Sequence, residues 1–237
     1  MIQNLWVACF IFLMSFLSYY FKKLSFYGAV CGGILAASIY IGAGFTGLLS
    51  LGFFFLVASL ATSWKISMKI QRGWAEKKRG RRNFQQVLAN GGVAGLCGIF
   101  SYLYPEETLL FQLMLIGSLS AAISDTLSSE LGVIYGKYQY NILTGKKGIR
   151  GANGVISLEG LVAGIFGSLI MAAIFTLMNG NGNHFYWIII AGLFGNLIDS
   201  LLGATMENRG IISNDVVNVI NTLSGAIMMS VMYFLFR

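Results

Sequence analysis

Eight apolar segments dominate this chain and constrain its fold more than any other feature. Segments of about 17 to 25 apolar residues can cross a bilayer as single helices. They cover residues 3–21, 24–42, 45–64, 84–104, 108–127, 155–178, 184–204 and 214–236. Only 11% of the 237 residues are charged, against roughly 25% in soluble domains. We therefore predict an all-α, polytopic membrane protein with about eight transmembrane helices, forming one integral membrane domain over residues 1–237.

The first three segments, within residues 1–64, are generic apolar helices. Segment 3–21 lacks basic residues before its apolar core, and Lys22 and Lys23 follow it. It is therefore interpreted as a retained helix, because a signal peptide has its positive charge at the start. Only Gly42-Ala43-Gly44 separates the next two segments, so we expect them to form an antiparallel pair.

The basic residues indicate how the helices are oriented. Eight alternating spans place 15 of the 16 Lys and Arg residues on one side, and leave Arg237 on the other with Glu106 and Glu107. The 15 are Lys22, Lys23, Lys65, Lys69, Arg72, Lys77, Lys78, Arg79, Arg81, Arg82, Lys137, Lys146, Lys147, Arg150 and Arg209. Lys and Arg concentrate in cytoplasmic loops. The prediction is that both termini lie on the non-cytoplasmic side.

Two of the basic loops have more than one interpretation. The loop from Lys65 to Arg82 can set the topology by contacting anionic headgroups, or its last members, Arg81 and Arg82, can bind phosphate. The loop from Lys137 to Arg150 is interrupted by glycine. It can cradle an anion with backbone N–H groups and basic side chains, or it can be a plain solvated loop.

Polar residues within the spans cluster near the predicted cytoplasmic ends. Such residues are costly in a bilayer and usually functional, although a single Asn or Ser often only bonds to a neighbouring helix. Five helices contribute Asn83, Gln86 and Asn90; Asp125, Ser128 and Ser129; Asn153, Ser157 and Glu159; Asn196 and Asp199; and Asn214, Asp215, Asn218 and Asn221. Five clusters at one depth favour a functional site.

The chemistry of this set suits phosphoryl transfer. Asp125, Asp199 and Asp215 are the candidate catalytic and metal-ligating residues, since neighbouring carboxylates repel unless a cation relieves them. Magnesium typically binds one or two carboxylates together with substrate phosphates. The candidates for binding nucleotide or substrate are Arg82, Gln86, Asn90, Ser128, Glu130, Lys146, Lys147, Arg150, Asn153, Ser157, Glu159, Asn196, Asn214 and Asn218. Phosphoryl transfer mainly needs a metal, positive charge and alignment.

Several other kinds of site are excluded. The chain has no GxxxxGK[ST] motif and no soluble-kinase signature. Residues 42–47 match GxGxxG by letter, but they join two membrane spans and no strand precedes them. The three cysteines lie in apolar runs without metal-ligand spacing, and a single histidine, His184, excludes a zinc cluster or a histidine-based triad.

Four sequence blocks resemble the phytyl-phosphate kinase family over about residues 75–230, which would form the family core. The blocks are RRNFQQVLANGG (81–92), SDTLSSELG (124–132), GANGVISLEG (151–160) and NLIDSLLGATMENRGIISNDVVN (196–218). The resemblance implies phosphoryl transfer from a nucleotide, CTP in the plant branch, to an isoprenyl monophosphate, giving the diphosphate. By position, the motif residues are Asp125, Glu130, Asn153, Ser157, Asp199, Asn214, Asp215 and Asn218.

The expected partners are a nucleoside triphosphate, Mg²⁺, an isoprenyl phosphate and membrane lipids, with no nucleic acid. Nothing resembles a chloroplast transit peptide, so a bacterial or archaeal cell membrane is expected. The alternatives are a lipid-alcohol kinase, a cytidylyltransferase, and a transporter or lipid flippase.

Glu130 lies about 140° around a helix from Asp125, so we expect the two to share a site only if the helix ends between them.

Overall fold

Helices form most of the protein. The structure is a computed structural model that describes residues 2–74, 80–180 and 182–236. Its helices are α1 (Ile2–Tyr20), α2 (Phe26–Ser63), α3 (Ile66–Gln71), α4 (Phe84–Leu103), α5 (Thr108–Tyr135), α6 (Leu158–Asn179), α7 (Phe185–Leu202) and α8 (Asn214–Phe236). A π-helical turn, Gly203–Glu207, extends α7, and a 3₁₀ turn, Pro105–Glu107, precedes α5. Strands β1 (Tyr140–Asn141) and β2 (Val155–Ile156) pair antiparallel between α5 and α6, a ribbon that the all-α prediction did not include.

Six helices in the described ranges are long and apolar enough to cross a membrane. They are α2, α4, the segment Pro105–Tyr135, α6, the segment Phe185–Glu207 and α8. Helix α1 provides a shorter apolar stretch, Leu5–Tyr20. The mostly helical, multi-pass architecture is as predicted, whereas the count of eight crossings stays a prediction.

Helix α2 contains 38 residues but doubles back on itself at Gly44. This glycine has φ +55° and ψ −142°, which is not helical. A straight helix of that length would extend roughly 57 Å, yet Lys23 Nζ, just before α2, donates a hydrogen bond of 2.8 Å to Ser63 Oγ at its end. Gly47 also packs against Ile39. The predicted antiparallel pair is therefore present as two arms, α2a (26–43) and α2b (45–63).

The described basic loops meet at one end of the bundle, which we call the basic end (residues 21–25, 64–74, 80–83, 136–157 and 203–213). Two contacts connect these loops to one another: Arg82 N donates to Lys23 O at 2.9 Å, and Asn208 Nδ2 donates to Asn153 O at 3.2 Å. A third joins the loop after α2 to the end of α5, where Trp64 Nε1 donates to the Tyr135 hydroxyl at 2.8 Å. Lys77, Lys78, Arg79 and Arg237 lie outside the described residues. The grouping of the other basic residues agrees with the alternation derived from sequence.

The opposite end of the bundle is organised around the turn between the two arms of α2. Ser101 Oγ from α4 and Gln112 Nε2 from α5 both donate 2.8 Å hydrogen bonds to the carbonyl of Gly42. Gly42 itself packs directly on the backbone of Gly98. These contacts set the depth of α2, α4 and α5 relative to one another.

Small residues let the other helices approach α5, which lies at the centre of the bundle. A Cβ atom at Gly117 would fall 2.6 Å from the carbonyl oxygen of Gly225 in α8, and one at Gly132 would fall 3.1 Å from Gly160 Cα in α6. Close backbone approach at small residues is typical of membrane helix packing. It brings the polar ends of α5, α6 and α8 together at the basic end.

A buried lysine locks α2b to α5 at this end. Lys69, on the short helix α3, is fully buried. Its ammonium pairs with Glu130 Oε2 at 2.5 Å. It also donates to the carbonyls of Ala61 and Thr62 at 3.1 and 2.7 Å. These carbonyls belong to the last turn of α2b, where acceptors lack the regular helical donor; Ala61 O also accepts from Trp64 N at 3.2 Å. One side chain thus caps a helix and neutralises a carboxylate.

We expect Lys69→Met to destabilise the fold. Breaking a buried ion pair costs about 3 kcal/mol at the low end of the observed range. Glu130 remains 24% exposed, so solvent screening reduces the expected loss to about 2 kcal/mol. Thermal unfolding can be followed by labelling of Cys31 and Cys97, which are buried, in a Cys9→Ser background because Cys9 is exposed. Lys146→Met, at an exposed lysine, is the matched control. Equal melting temperatures for the two variants would contradict the structural role of Lys69.

Candidate active site at the basic end

A polar cavity of about 520 Å³ lies at the basic end of the bundle. Helices α4, α5, α7 and α8 and the segment before α6 all contribute to its wall. The sequence-predicted residues that line it are Arg82, Gln86, Asn90, Asp125, Ser128, Glu130, Asn153, Ser157, Asn196, Asp199, Asn214 and Asn218. The five polar clusters identified in the sequence therefore converge on one space.

Two carboxylates from neighbouring helices lie side by side in this cavity. Asp125 of α5 and Asp199 of α7 are within interaction distance of each other. Glu130 and Glu207 also line the cavity and are near enough to act on Asp125 electrostatically. Charges concentrated in this way repel one another unless a cation or a proton compensates them.

Unpartnered polar atoms continue below the carboxylates into the bundle. Within the described residues, the buried atoms without a hydrogen-bond partner include Ser124 Oγ, Asn196 Nδ2 and Asp199 Oδ2. Ser124 and Asn196 converge beside Gly164, where an added Cβ would lie 2.8 and 3.2 Å from their polar atoms. Buried polar groups normally have partners. Asn196 and Asp199 also line the cavity, so their unpartnered atoms are available to water or to a ligand there.

The amino-terminal turn of α4 presents an arginine to the cavity. Asn83 and Gln86 form a capping box, with bonds of 2.9 and 3.0 Å between each side chain and the other residue's backbone N–H. The preceding residue, Arg82, is fixed by a backbone bridge to Leu24. Partial burial lowers the pKa of its guanidinium and the charge of Glu130 raises it, but an arginine stays protonated at neutral pH. A positive charge on a held backbone therefore lies in the wall of the cavity, near enough to Glu130 to interact with it.

The third sequence block forms a backbone wall of the cavity. Residues 151–154 all line it. Gly151 and Gly154 have φ of +82° and +74°, which glycine adopts at little cost, and Gly154 packs against Ala204. Ser157 then caps α6 by accepting a 3.1 Å hydrogen bond from Gly160 N. Here the chain backbone itself approaches the cavity closely.

The expectation for Glu130 was wrong. Helix α5 does not end between Asp125 and Glu130 but continues to Tyr135, and both side chains nevertheless line the cavity. The cavity lining extends to Thr62 and to Ile66 at the start of α3, the helix whose Lys69 pairs with Glu130. Wide angular separation on the helix is compatible with one site because the site is large.

Five predicted residues lie outside the cavity lining. Lys146 and Lys147 are exposed on the loop beside the β-ribbon, whose Tyr140 bridges to Lys147. Arg150 instead caps the end of α5 by donating to the carbonyls of Val133, Ile134 and Gly136. The side chain of Glu159 accepts from Lys137 N at 3.2 Å. Asp215, in the first turn of α8, is half-buried but does not reach the cavity.

Other lining residues were not singled out from the sequence. Glu207 lies on the π-helical turn after α7, and Gln139 and Trp74 come from loops. Glu207 could have been noticed as one of only nine acids and as a member of the fourth block. Gln139 is buried and donates to Gly132 O at 3.0 Å, but no sequence pattern signals this contact.

A dedicated metal cage is not formed by the described residues. Within those ranges, no group of three or more His, Cys, Asp or Glu side chains could hold a metal ion. The pair Asp125 and Asp199, with a buried and unpartnered Asp199 Oδ2, instead fits Mg²⁺, which binds one or two carboxylates together with substrate phosphates.

Comparison with known proteins finds relatives across plants, cyanobacteria and archaea. Protein VTE6, chloroplastic, from Arabidopsis thaliana is 32% identical over 211 residues, covering 86% of this chain and 63% of that protein. The chain thus spans just under two thirds of the length of this plant relative. An uncharacterized membrane protein of Synechocystis sp. is 33% identical over 211 residues, covering 86% of this chain and 81% of that protein. An uncharacterized membrane protein of Methanocaldococcus jannaschii is 32% identical over 207 residues, covering 85% of this chain and 84% of that protein.

No solved structure matches the chain. Residues 9–226 match the family described as integral membrane protein DUF92. That range contains all four blocks on which the resemblance was based, and the resemblance is confirmed at the level of the family. The chain belongs to the DUF92 family of integral membrane proteins.

Proposed function

We propose that the protein is a nucleotide-dependent kinase that phosphorylates an isoprenyl monophosphate to the diphosphate. The observation that carries this proposal is the carboxylate pair Asp125 and Asp199 in one cavity with Arg82. The four sequence blocks, which resemble the phytyl-phosphate kinase family, supply both the carboxylates and the arginine. CTP is the nucleotide that the resemblance favours.

Each group in the cavity has a distinct task in this reaction. Asp125 and Asp199 would hold Mg²⁺, which when bound neutralises charge on the nucleotide β- and γ-phosphates. Arg82 binds phosphate oxygens, since its planar guanidinium matches their geometry. Asn and Ser side chains on α5, α7 and α8 orient the remaining oxygens. The backbone of residues 151–154 lets phosphate approach closely.

The transfer needs no general base. An oxygen of the acceptor phosphate, already an anion, forms the new bond to the γ-phosphorus. The bond from that phosphorus to the β–γ bridging oxygen breaks, and the nucleoside diphosphate leaves with the electron pair. A site that contains carboxylates and arginine but no histidine is adequate for this chemistry. An alcohol acceptor would in addition require one aspartate to remove a proton.

The position of the cavity favours an enzyme over a transporter. Transporters tend to hold their substrates near the bilayer midplane between repeated halves. Here the loops of the basic end line part of the cavity, including Gly73, Gly80 and residues 151–157. Under the orientation proposed below, nucleotide in the cytoplasm has access to that end.

We also propose the membrane topology. The two arms of α2 together with α1 and the five other long helices give eight crossings, with both termini on the non-cytoplasmic side of the cell membrane. The basic end then faces the cytoplasm, in agreement with the usual distribution of Lys and Arg. Nucleotide would reach the cavity directly from solution.

Cysteine labelling tests this topology. Thr144, in the loop at the basic end, and Glu106, at the opposite end, are both exposed. In a background without the native cysteines, a membrane-impermeant maleimide should label Glu106→Cys in intact cells. It should label Thr144→Cys only after the membrane is permeabilised. Labelling of both variants in intact cells, or the reverse pattern, would contradict the proposed orientation.

Replacing Asp199 tests the metal-dependent chemistry. Loss of an outer partner of a metal site commonly costs 10- to 100-fold. Since Asp199 is proposed to contact the ion itself, Asp199→Asn should lower the transfer of γ-phosphate to geranylgeranyl phosphate by roughly 100-fold or more. Binding of Mn²⁺, measured by electron paramagnetic resonance in the presence of nucleotide, should weaken in parallel.

Two further variants calibrate that result. Glu106→Gln, at the far end of the bundle, should leave both transfer and Mn²⁺ binding unchanged. Asp215→Asn tests whether Asp215 takes part in the reaction. A lower transfer rate would support the assignment made from the sequence, and a wild-type rate would support the cavity, whose lining excludes Asp215. A wild-type transfer rate in Asp199→Asn would sink the proposed metal role.

A further inference from the structure

An apolar chamber of about 1050 Å³ lies beside the polar cavity. Helix α1, both arms of α2 and the start of α4 enclose most of it. Its wall is largely aromatic and aliphatic, and includes Trp6, Phe10, Leu35, Phe45, Phe53 and Leu56. The four family blocks contribute little to it, because most of its lining comes from the first 60 residues.

Arg82 and Asn90 line both the chamber and the polar cavity. The guanidinium of Arg82 lies 5.5 Å from the ring centroid of Phe54, a chamber residue. Among the described residues, this guanidinium makes no hydrogen bond or ion pair. A positive charge with donors available thus stands where the two spaces join.

The chamber extends along the helices rather than across them. Leu60 and Lys23 line it near the basic end, while Phe45 and Trp6 line it near the opposite end. The 16 helical residues from Phe45 to Leu60 are separated by 15 steps, which rise roughly 22 Å. The chamber is therefore a long apolar space with one cationic end, where Arg82 and Asn90 also line the polar cavity.

We propose that this chamber binds the prenyl chain of the acceptor, that Arg82 binds the acceptor phosphate, and that chamber depth selects chain length. This proposal rests on the proposed function for the identity of the acceptor. A prenyl monophosphate is a single apolar chain with one anionic end, which matches the shape and the charge of the chamber. Its phosphate would lie at the junction, within reach of a nucleotide in the polar cavity.

Gly52 offers a way to shorten the chamber without disturbing the fold. It lines the chamber from the middle of α2b, and a Cβ built at this position meets no atom within 4 Å. Replacing a glycine inside a helix also favours the helical state. Gly52→Phe should therefore fold normally and place a ring across the chamber. Ile34→Phe is the matched control, because Ile34 lies on α2a, is 62% exposed and lines neither space.

The test compares kcat/KM for geranyl, farnesyl and geranylgeranyl phosphates with γ-labelled nucleotide. Relative to geranyl phosphate, Gly52→Phe should lower the value for geranylgeranyl phosphate at least tenfold, and Ile34→Phe should leave the ratio unchanged. Gly52→Phe protein that is folded, as judged by its melting temperature, and has the wild-type ratio would overturn the chamber assignment.

Binding measured without turnover separates this proposal from the kinase reaction. Displacement of radiolabelled geranylgeranyl phosphate reports on chamber occupancy alone. If the wild type binds longer chains more tightly, Gly52→Phe abolishes that preference, and no nucleotide yields product, the chamber stands and the kinase proposal falls. Equal displacement by phosphatidylglycerol would show that a membrane lipid occupies the chamber, and would overturn the proposal even if transfer occurs.

Discussion

The side-by-side placement of Asp125 and Asp199 is the constraint on which the rest of the site depends. Two carboxylates within membrane-crossing helices cannot both stay ionised cheaply in apolar surroundings. The protein meets this cost by grouping its polar side chains around the pair and by directing Arg82 into the same cavity. This arrangement leaves the carboxylates without enough positive charge to neutralise them. A metal cation that binds together with a phosphate substrate would supply that charge.

The fold serves this arrangement by bringing helix ends together. Small residues such as Gly117 and Gly132 permit α8 and α6 to lie close against α5, so that five polar helix ends meet around one cavity. Lys69 closes the same end by joining the last turn of α2b to Glu130. The remaining helices, which hold few charges, enclose the apolar chamber. Polar chemistry and apolar binding thus occupy neighbouring spaces that share Arg82.

Much of this organisation could be predicted from the sequence, because membrane helices have strong signals. Apolar length located the helices, and the turn at Gly42–Gly44 indicated the paired arms of α2. Polar residues that cluster toward the same end of several spans predicted that Asp125, Asp199 and Asn196 lie close together. These inferences succeed since a bilayer penalises any polar group that lacks a purpose or a partner.

The parts that could not be predicted depend on loop geometry and exact helix ends. Arg150 was expected to bind phosphate, but its guanidinium instead caps the end of α5 by donating a hydrogen bond to the Val133 carbonyl. Asp215 is in the predicted helix, yet its direction depends on where α8 begins after the π-helical turn. That turn places Glu207, rather than Asp215, in the lining of the polar cavity. Composition reveals the charge of such side chains, whereas their direction follows from contacts between distant segments.

The central claim is that the paired carboxylates and Arg82 serve phosphoryl transfer between a nucleotide and a prenyl phosphate. It is tested most directly with purified wild-type protein, magnesium, geranylgeranyl monophosphate and CTP labelled at either the α- or the γ-phosphate. Label from the γ-position should appear in geranylgeranyl diphosphate, with one nucleoside diphosphate released for each product formed. Label from the α-position in the lipid, with release of pyrophosphate, or no transfer from any of the four common nucleotides, would contradict the account.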